Sequence, residues 1–132
     1  MLKFLIVFLF LFCTIIFSQN ELAVQTYNAS VTTGEICYWT GVEWDEADAT
    51  AAGAASYGLL GIAIGNSKIL LSGNMWRTTG LVAGDIYYLS TTAGQITNTA
   101  PSATTNVVRI IGRAYTTQTL VFDVSEIWVV LE

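Results

Sequence analysis

The sequence predicts an all-β domain, a compact barrel or sandwich built from two repeated modules. Short apolar runs alternate with turn residues, no segment has a convincing helical pattern, and the two halves resemble each other. Three segments recur at offsets of 50, 51 and 52 residues: Thr33-Gly34-Glu35-Ile36-Cys37-Tyr38 as Ala83-Gly84-Asp85-Ile86-Tyr87-Tyr88, Leu60-Gly61-Ile62-Ala63 as Ile111-Gly112-Arg113-Ala114, and Asn74-Met75-Trp76 as Glu126-Ile127-Trp128. Such self-similarity indicates one supersecondary unit used twice, in residues 33–76 and 83–128.

An apolar segment, residues 1–18, precedes the single β-domain of residues 19–132. Met1-Leu2-Lys3 forms a short basic start, and residues 4–17 are an apolar run interrupted only by Thr14. This length is typical of a signal peptide and is shorter than a membrane span of about 20 residues. Cleavage after Ser18 would leave Gln19 first. The alternative is a retained anchor in which residues 4–17 contact lipid.

The first module contains strands separated by Gly-containing turns and one Ala-rich loop. A weakly alternating strand in residues 22–31 leads into it. Its elements in order are strand 34–39, the turn Thr40-Gly41, strand 42–44, a loop in 45–57 with one helical turn, strand 59–64, the short core strand 69–71, and a closing strand around Trp76.

The second module repeats this order with a longer hairpin turn. Its elements are strand 84–90, the turn 91–94, strand 95–97, a loop in 98–106 that contains Pro101, strand 107–115, core strand 120–122, and a closing strand 127–131 around Trp128. Gly61 and Gly112 interrupt equivalent apolar strands, which predicts a bulge or a close backbone approach. Trp76 and Trp128 hold equivalent positions, which favours a structural role for both.

The composition argues against nucleic acid and against most hydrolytic mechanisms. The net charge is −5, and only five residues are Lys or Arg. A phosphate-backbone binder needs clustered cations. The chain has no histidine, the usual general base and metal ligand. We therefore expect a non-enzymatic protein. Only 11% of the residues are charged, against about 25% in typical soluble domains, which indicates a subunit covered by partners.

Cysteine usage allows no disulfide within the β-domain. Cys13 lies in the leader and Cys37 in a predicted strand, so the domain has a single thiol. Because Tyr87 is the repeat counterpart of Cys37, we expect this position to face the core.

The densest polar group is a run of four carboxylates around Trp44: Glu43, Asp45, Glu46 and Asp48. Oxygen ligands from such a loop can bind calcium, but the spacing lacks the glycine and the final acid of an EF-hand. A solvated acidic loop is the simpler interpretation, and a weak calcium site the alternative. No cofactor is otherwise indicated.

Two tryptophans beside this loop are the candidate binding residues. Trp39 and Trp44 have no aromatic counterparts in the second module, at Leu89 and Thr97. Aromatic rings in a small β-domain usually belong to the core, but an exposed pair would offer a surface on which a sugar ring can stack.

The second module resembles the small β-domains of bacteriophage virion proteins, of the capsid-decoration, head-fibre and spike type. The residues that carry this resemblance are Gly84-Asp85-Ile86-Tyr87-Tyr88-Leu89-Ser90, Ala93-Gly94-Gln95-Ile96-Thr97, Pro101, Val108-Arg109-Ile110-Ile111-Gly112-Arg113-Ala114 and Trp128-Val129-Val130-Leu131. The resemblance implies a structural protein of the virion that packs as a trimer or lattice with itself and with other virion subunits. The leader departs from this family and indicates a membrane-associated particle protein.

The alternative function is a secreted or surface-displayed bacterial module that binds carbohydrate or mediates adhesion. Export would explain the leader, and Trp39 and Trp44 would contact the glycan. The two hypotheses differ in oligomeric burial, because a virion subunit needs an apolar surface between subunits.

Overall fold

The computed structural model describes residues 20–22, 31–50, 53–76 and 80–132, and it confirms the all-β class. Eight strands form one antiparallel curled sheet with the shape of a half-barrel. The described elements are β1 (Asn20–Leu22), β2 (Ile36–Trp39), β3 (Trp44–Glu46), α1 (Ala54–Tyr57), β4 (Leu60–Gly65), β5 (Lys68–Trp76), β6 (Ile86–Leu89), β7 (Ile96–Thr97), β8 (Val107–Ala114), β9 (Thr119–Asp123) and β10 (Trp128–Val130).

The order of strands in the sheet is symmetric, because corresponding strands of the two modules follow each other in the same order from each end. The path is β3-β2-β4-β5-β9-β8-β6-β7, while β1 pairs with β5 and β10 pairs with β8. A hairpin, β2–β3 or β6–β7, lies at each end and is followed inward by two further strands. β5 and β9 meet at the centre, where Asn74 pairs with Val121. The strands of the first module, β2 to β5, are thus paired in the same way as the strands of the second module, β6 to β9.

Equivalent turns precede β2 and β6. Gly34 and Gly84 have φ angles of 93° and 90°, values that favour glycine at the third position of a β-turn. Their N–H groups donate to the carbonyls of Ala63 (2.6 Å) and Ala114 (2.8 Å). The two modules therefore use the same turn, bonded to the same strand position.

β5 is one nine-residue strand, which corrects the prediction of a short strand at 69–71 and a separate one at Trp76. Gly73 has a φ of 131° and still pairs with Phe122 of β9. Leu70 lies in the main core and Leu71 packs on a second cluster, whereas Met75 packs on the main core. Strict alternation would place Met75 on the side of Leu71, so Gly73 reverses the two sides of the strand.

This reversal gives equivalent residues of the two modules opposite environments. In the first module, Ile36, Ile62 and Leu70 form a row of paired residues and are fully buried. The corresponding row in the second module is Ile86, Arg113 and Val121, which lies on the outer side of the half-barrel. Of these, Arg113 and Val121 are exposed and Ile86 is partly buried.

The main core lies between the two modules, and a smaller cluster covers the other side of the first. The main core includes Ile36, Ile62, Leu70, Tyr87, Leu89, Ile111, Leu120 and Phe122. The smaller cluster contains Val31, Cys37, Trp44, Ala63 and Ile69. Cys37 is buried as expected.

Residues 47–49 connect the two ends of the sheet. Ala47 accepts a hydrogen bond from the N–H of Gly94, and Ala49 donates to the carbonyl of Ser90 (both 2.9 Å). Ile36 of β2 also donates to the carbonyl of Gly94 (2.9 Å). The Ala-rich loop thus bridges the two hairpins, and its one helical turn is α1.

The leader, residues 1–18, and most of the predicted strand 22–31 lie outside the described residues. β1 begins at Asn20 and pairs with β5. Within the described part of the chain, no helix has the length and apolar character needed to cross a membrane.

Candidate interaction surface

Trp39 and Trp44, the predicted binding residues, face each other across the β2–β3 hairpin. Their ring centroids are 5.6 Å apart at an interplanar angle of 52°, a tilted arrangement typical of aromatic packing. Trp44 is only 1% exposed and belongs to the smaller cluster, whereas Trp39 is half-buried at its border. The ring of Trp44 has no free face for a sugar in this structure, so Trp39 alone keeps exposed surface.

The four carboxylates of the acidic loop do not converge. Asp45 and Glu46 are neighbours on β3, where successive side chains point to opposite faces. Asp45 accepts a hydrogen bond from the N–H of Glu46 (2.9 Å), and Asp48 accepts one from the N–H of Thr50 (2.8 Å). Glu43 lies in the preceding turn. Among the described residues, no group of three or more potential metal ligands comes together.

Gly61 and Gly112 occupy equivalent positions, opposite Cys37 and Tyr87. A Cβ atom at Gly61 would lie 2.2 Å from Cγ2 of Ile69, and one at Gly112 would lie 2.2 Å from the carbonyl oxygen of Val121. Both distances are too short for a real contact. At Gly112 the obstacle is the backbone of β9, so this glycine permits the close approach of two strands.

The two tryptophans predicted to close the modules are not equivalent, which corrects the third segment of the repeat. Trp76 ends β5 and pairs with Thr119 of β9, whereas Trp128 lies in β10 and pairs with Arg109 of β8. The strand ladders align Leu70 with Val121, and this offset of 51 would place Trp76 opposite Ile127 in the repeat. The two tryptophans therefore lie in strands with different partners.

Arg109 is a buried cation that the sequence did not single out. It is 7% exposed, and its guanidinium donates to the carbonyls of Ser125 (3.0 Å), Ser56 (3.2 Å) and Gly58 (2.9 Å). It also lies 5.5 Å from the ring centroid of Trp128, a favourable cation–π distance. Burial lowers the pKa of Arg109, yet an arginine stays charged in proteins. Arg109 therefore ties α1 to the C-terminal strand.

The C-terminal edge, which we define as residues 127–130, is an exposed apolar segment. The exposed fractions of Ile127, Trp128, Val129 and Val130 are 79%, 40%, 55% and 40%. Trp128 stacks on Tyr57 at a centroid distance of 5.3 Å. β10 pairs only with β8 among the described strands, so its other edge has no partner within the part of the chain that the structure describes. An exposed apolar edge strand is a template for pairing with another chain.

Backbone alternation shows which β10 residues direct their N–H groups outward. The N–H of Leu131 donates to the carbonyl of Asn106, on the β8 side (2.9 Å). In an antiparallel pair, successive N–H groups point to opposite sides of the strand. Trp128 and Val130 therefore direct their N–H groups away from β8.

A second exposed region lies on the outer side of β6, β8 and β9, and we call it the outer face. It consists of Ile86, Ile110, Arg113, Val121 and Asp123, which line a shallow depression of about 250 Å³ together with Gly112. Ile110 and Val121 are 38% and 39% exposed. The sequence placed Val121 in a core strand, and Ile86, Ile110 and Arg113 in strands of the second module. Their exposure follows from the side reversal at Gly73 and, for Ile110, from the bulge in β8.

Comparison of the chain with protein-family models, with curated proteins and with solved structures found no match.

Proposed function

We propose that the protein is a non-enzymatic structural subunit of a virus particle, a capsid-associated, decoration or spike domain. It would assemble by covering its apolar exposed surfaces with copies of itself and with other subunits of the particle. The observation that carries the proposal is the C-terminal edge, where Ile127 and the three residues of β10 are at least 40% exposed. The second edge of β10 has no partner among the described residues. Monomeric proteins usually protect such edges with charges, prolines or bulges.

The low charge of the chain supports the same role. Surfaces buried between subunits are depleted in charged residues and enriched in aromatic ones. The segment from Ile127 to Leu131 contains no charge and no proline, and Trp128 within it stacks on Tyr57. This combination favours a stable contact between chains.

We further propose that the two modules are copies of one ancestral unit and that the half-barrel closes into a compact barrel through residues 47–49. The symmetric strand order and the equivalent turns at Gly34 and Gly84 support duplication. Closure is supported by two hydrogen bonds to the second hairpin: Ala47 accepts one from the N–H of Gly94, and Ala49 donates one to the carbonyl of Ser90. In a particle with a lipid layer, a retained leader would contact lipid through residues 4–17.

A proline at the C-terminal edge tests the assembly role directly. In Val130→Pro the outward N–H is lost while the pairing of β10 with β8 is kept, because that N–H does not face β8. We expect this variant of the full chain, in mild detergent, to sediment as a smaller species than the natural protein. Val129→Pro is the matched control, since it removes an N–H that faces β8 and should destabilise the fold instead.

Mass spectrometry of density-gradient fractions from the native source tests the particle itself. We expect the protein in particle fractions, where peptides from residues 1–17 would identify a retained anchor. Recovery only in the soluble secreted fraction, beginning at Gln19, would contradict the proposal and favour the secreted carbohydrate-binding module. In that case Trp39→Ala should abolish glycan binding. Under our proposal Trp39→Ala leaves assembly intact.

A further inference from the structure

The outer face combines an apolar centre with one charge of each sign. Ile86, Val121 and Ile110 are apolar, and Arg113 is the direct strand partner of both Ile86 and Val121. Asp123 follows Val121 by two residues on β9, which places it about 7 Å further along the same face. The cation and the acid thus lie at different positions along the strand direction.

Arg113 and Asp123 do not neutralise each other within the chain. The guanidinium of Arg113 donates to the carbonyl of Gly84 (2.6 Å). Gly84 precedes β6, and β6 runs antiparallel to β8, so this bond draws Arg113 away from Asp123. Neither side chain forms an ion pair within the part of the chain that the structure describes. Each charge remains available to a partner.

The corresponding row of the first module is an example of a similar surface that is buried. Its residues, Ile36, Ile62 and Leu70, are 0% exposed and pack in the main core. The outer face keeps apolar residues at two of these three positions and replaces Ile62 with Arg113. An apolar surface with one cation and one acid, spaced along a strand, is complementary to itself after a twofold rotation.

From this pattern we propose that the outer face is a twofold contact between two copies of this chain, in which Arg113 of each copy pairs with Asp123 of the other. The proposal rests on the assembly role proposed above and identifies the partner as a second copy. Val121 and Ile110 of the two copies would pack together at the centre. Two identical ion pairs would fix the antiparallel register, since the parallel arrangement would bring like charges together.

Charge reversal gives a self-contained test by sedimentation velocity of the full chain in mild detergent. Arg113→Glu places two acids in each paired position, and Asp123→Arg places two cations there. We expect each variant alone to dimerise about tenfold or more weakly than the natural protein, because like charges replace opposite ones. An equimolar mixture should restore the dimer, since every contact between the two variants then joins opposite charges. The double variant should also dimerise.

Controls separate this inference from the assembly role. Glu43→Arg makes the same charge change in the β2–β3 turn and should leave dimerisation unchanged, and near-ultraviolet circular dichroism confirms the fold of each variant. If both single variants assemble like the natural protein while Val130→Pro does not, the twofold contact is refuted and the assembly role survives. A natural protein that stays monomeric at all concentrations refutes both. Failure of the mixture to associate refutes the ion pairing.

Discussion

Replacing Gly112 with alanine should strongly destabilise the fold, because the added methyl group has no space. The Cβ atom would lie 2.2 Å from the carbonyl oxygen of Val121 and 3.3 Å from Cα of Phe122. These are backbone atoms of the neighbouring strand, and they cannot move aside by a change of rotamer. β8 and β9 would have to separate.

The magnitude follows from two contributions. Overpacking of a well-packed interior costs about 1–3 kcal/mol. Each weakened hydrogen bond between β8 and β9 adds about 0.5–1.5 kcal/mol. We therefore expect Gly112→Ala to lower the free energy of unfolding by about 3 kcal/mol and the melting temperature by roughly 10–20 °C.

Urea and thermal unfolding, followed by circular dichroism, measure this change. Gly80→Ala is the matched control, since nothing lies within 4 Å of its Cβ position, and its stability should change by about 0.5 kcal/mol or less. Gly61→Ala should fall between the two, because its obstacle is Cγ2 of Ile69, a side-chain atom that can rotate. If Gly112→Ala unfolds at the urea concentration of Gly80→Ala, the close approach of β8 and β9 is not required.

Two further predictions concern buried polar groups. Arg109→Met leaves the carbonyls of Ser56, Gly58 and Ser125 without their donor, so the free energy of unfolding should fall by about 3 kcal/mol in urea titrations; unchanged stability would contradict the role of Arg109 as a tie between α1 and β10. Burial raises the pKa of Cys37 from 9.0 to about 12, so the native state retains a proton that the unfolded state loses. Stability should therefore fall as the pH rises from 9 towards 12, by up to about 1.4 kcal/mol per pH unit, and Cys37→Ala should lack this part of the decline. Equal slopes for the two proteins would contradict it.

The sequence predicted strand positions well because turns and glycines have local causes. The turns at Gly34 and Gly84 need a positive φ, and the glycines at 61 and 112 need space, so both features appear as residue identities. The internal repeat was predicted from the same kind of local signal. These local signals were sufficient for the all-β class, whereas the order of the strands in the sheet was not predicted.

The location of the exposed surface could not be predicted, because it depends on local irregularities of the backbone. Apolar residues at Ile86, Ile110 and Val121 have the same pattern as core residues. The side reversal at Gly73 and, for Ile110, the bulge in β8 turn them outward. Arg109 was also missed, since a single arginine in an apolar strand resembles an exposed residue. Its three carbonyl partners lie 53 and 51 residues before it and 16 residues after it.

The sequence suggested Trp44 as a binding residue because the second module has no aromatic residue at the corresponding position. In the structure, that asymmetry reflects packing: the first module has a second cluster behind its sheet, and Trp44 fills it beside Gly61. When a residue type differs between two repeats, a difference in burial is therefore the first explanation to test, and a bound ligand the second.

The proposed duplication and the proposed assembly are connected through Gly73. If the two modules packed in identical ways, both would bury the corresponding row of residues. Gly73 prevents this, because it lets β5 contribute Leu70 and Met75 to one core while the row beyond it turns outward. The first module then buries residues on both faces of its sheet, whereas the second module has an uncovered outer face with Arg113 and Asp123. The buried row of the first module is therefore an example, within one chain, of the surface that we propose the second module offers to a second copy.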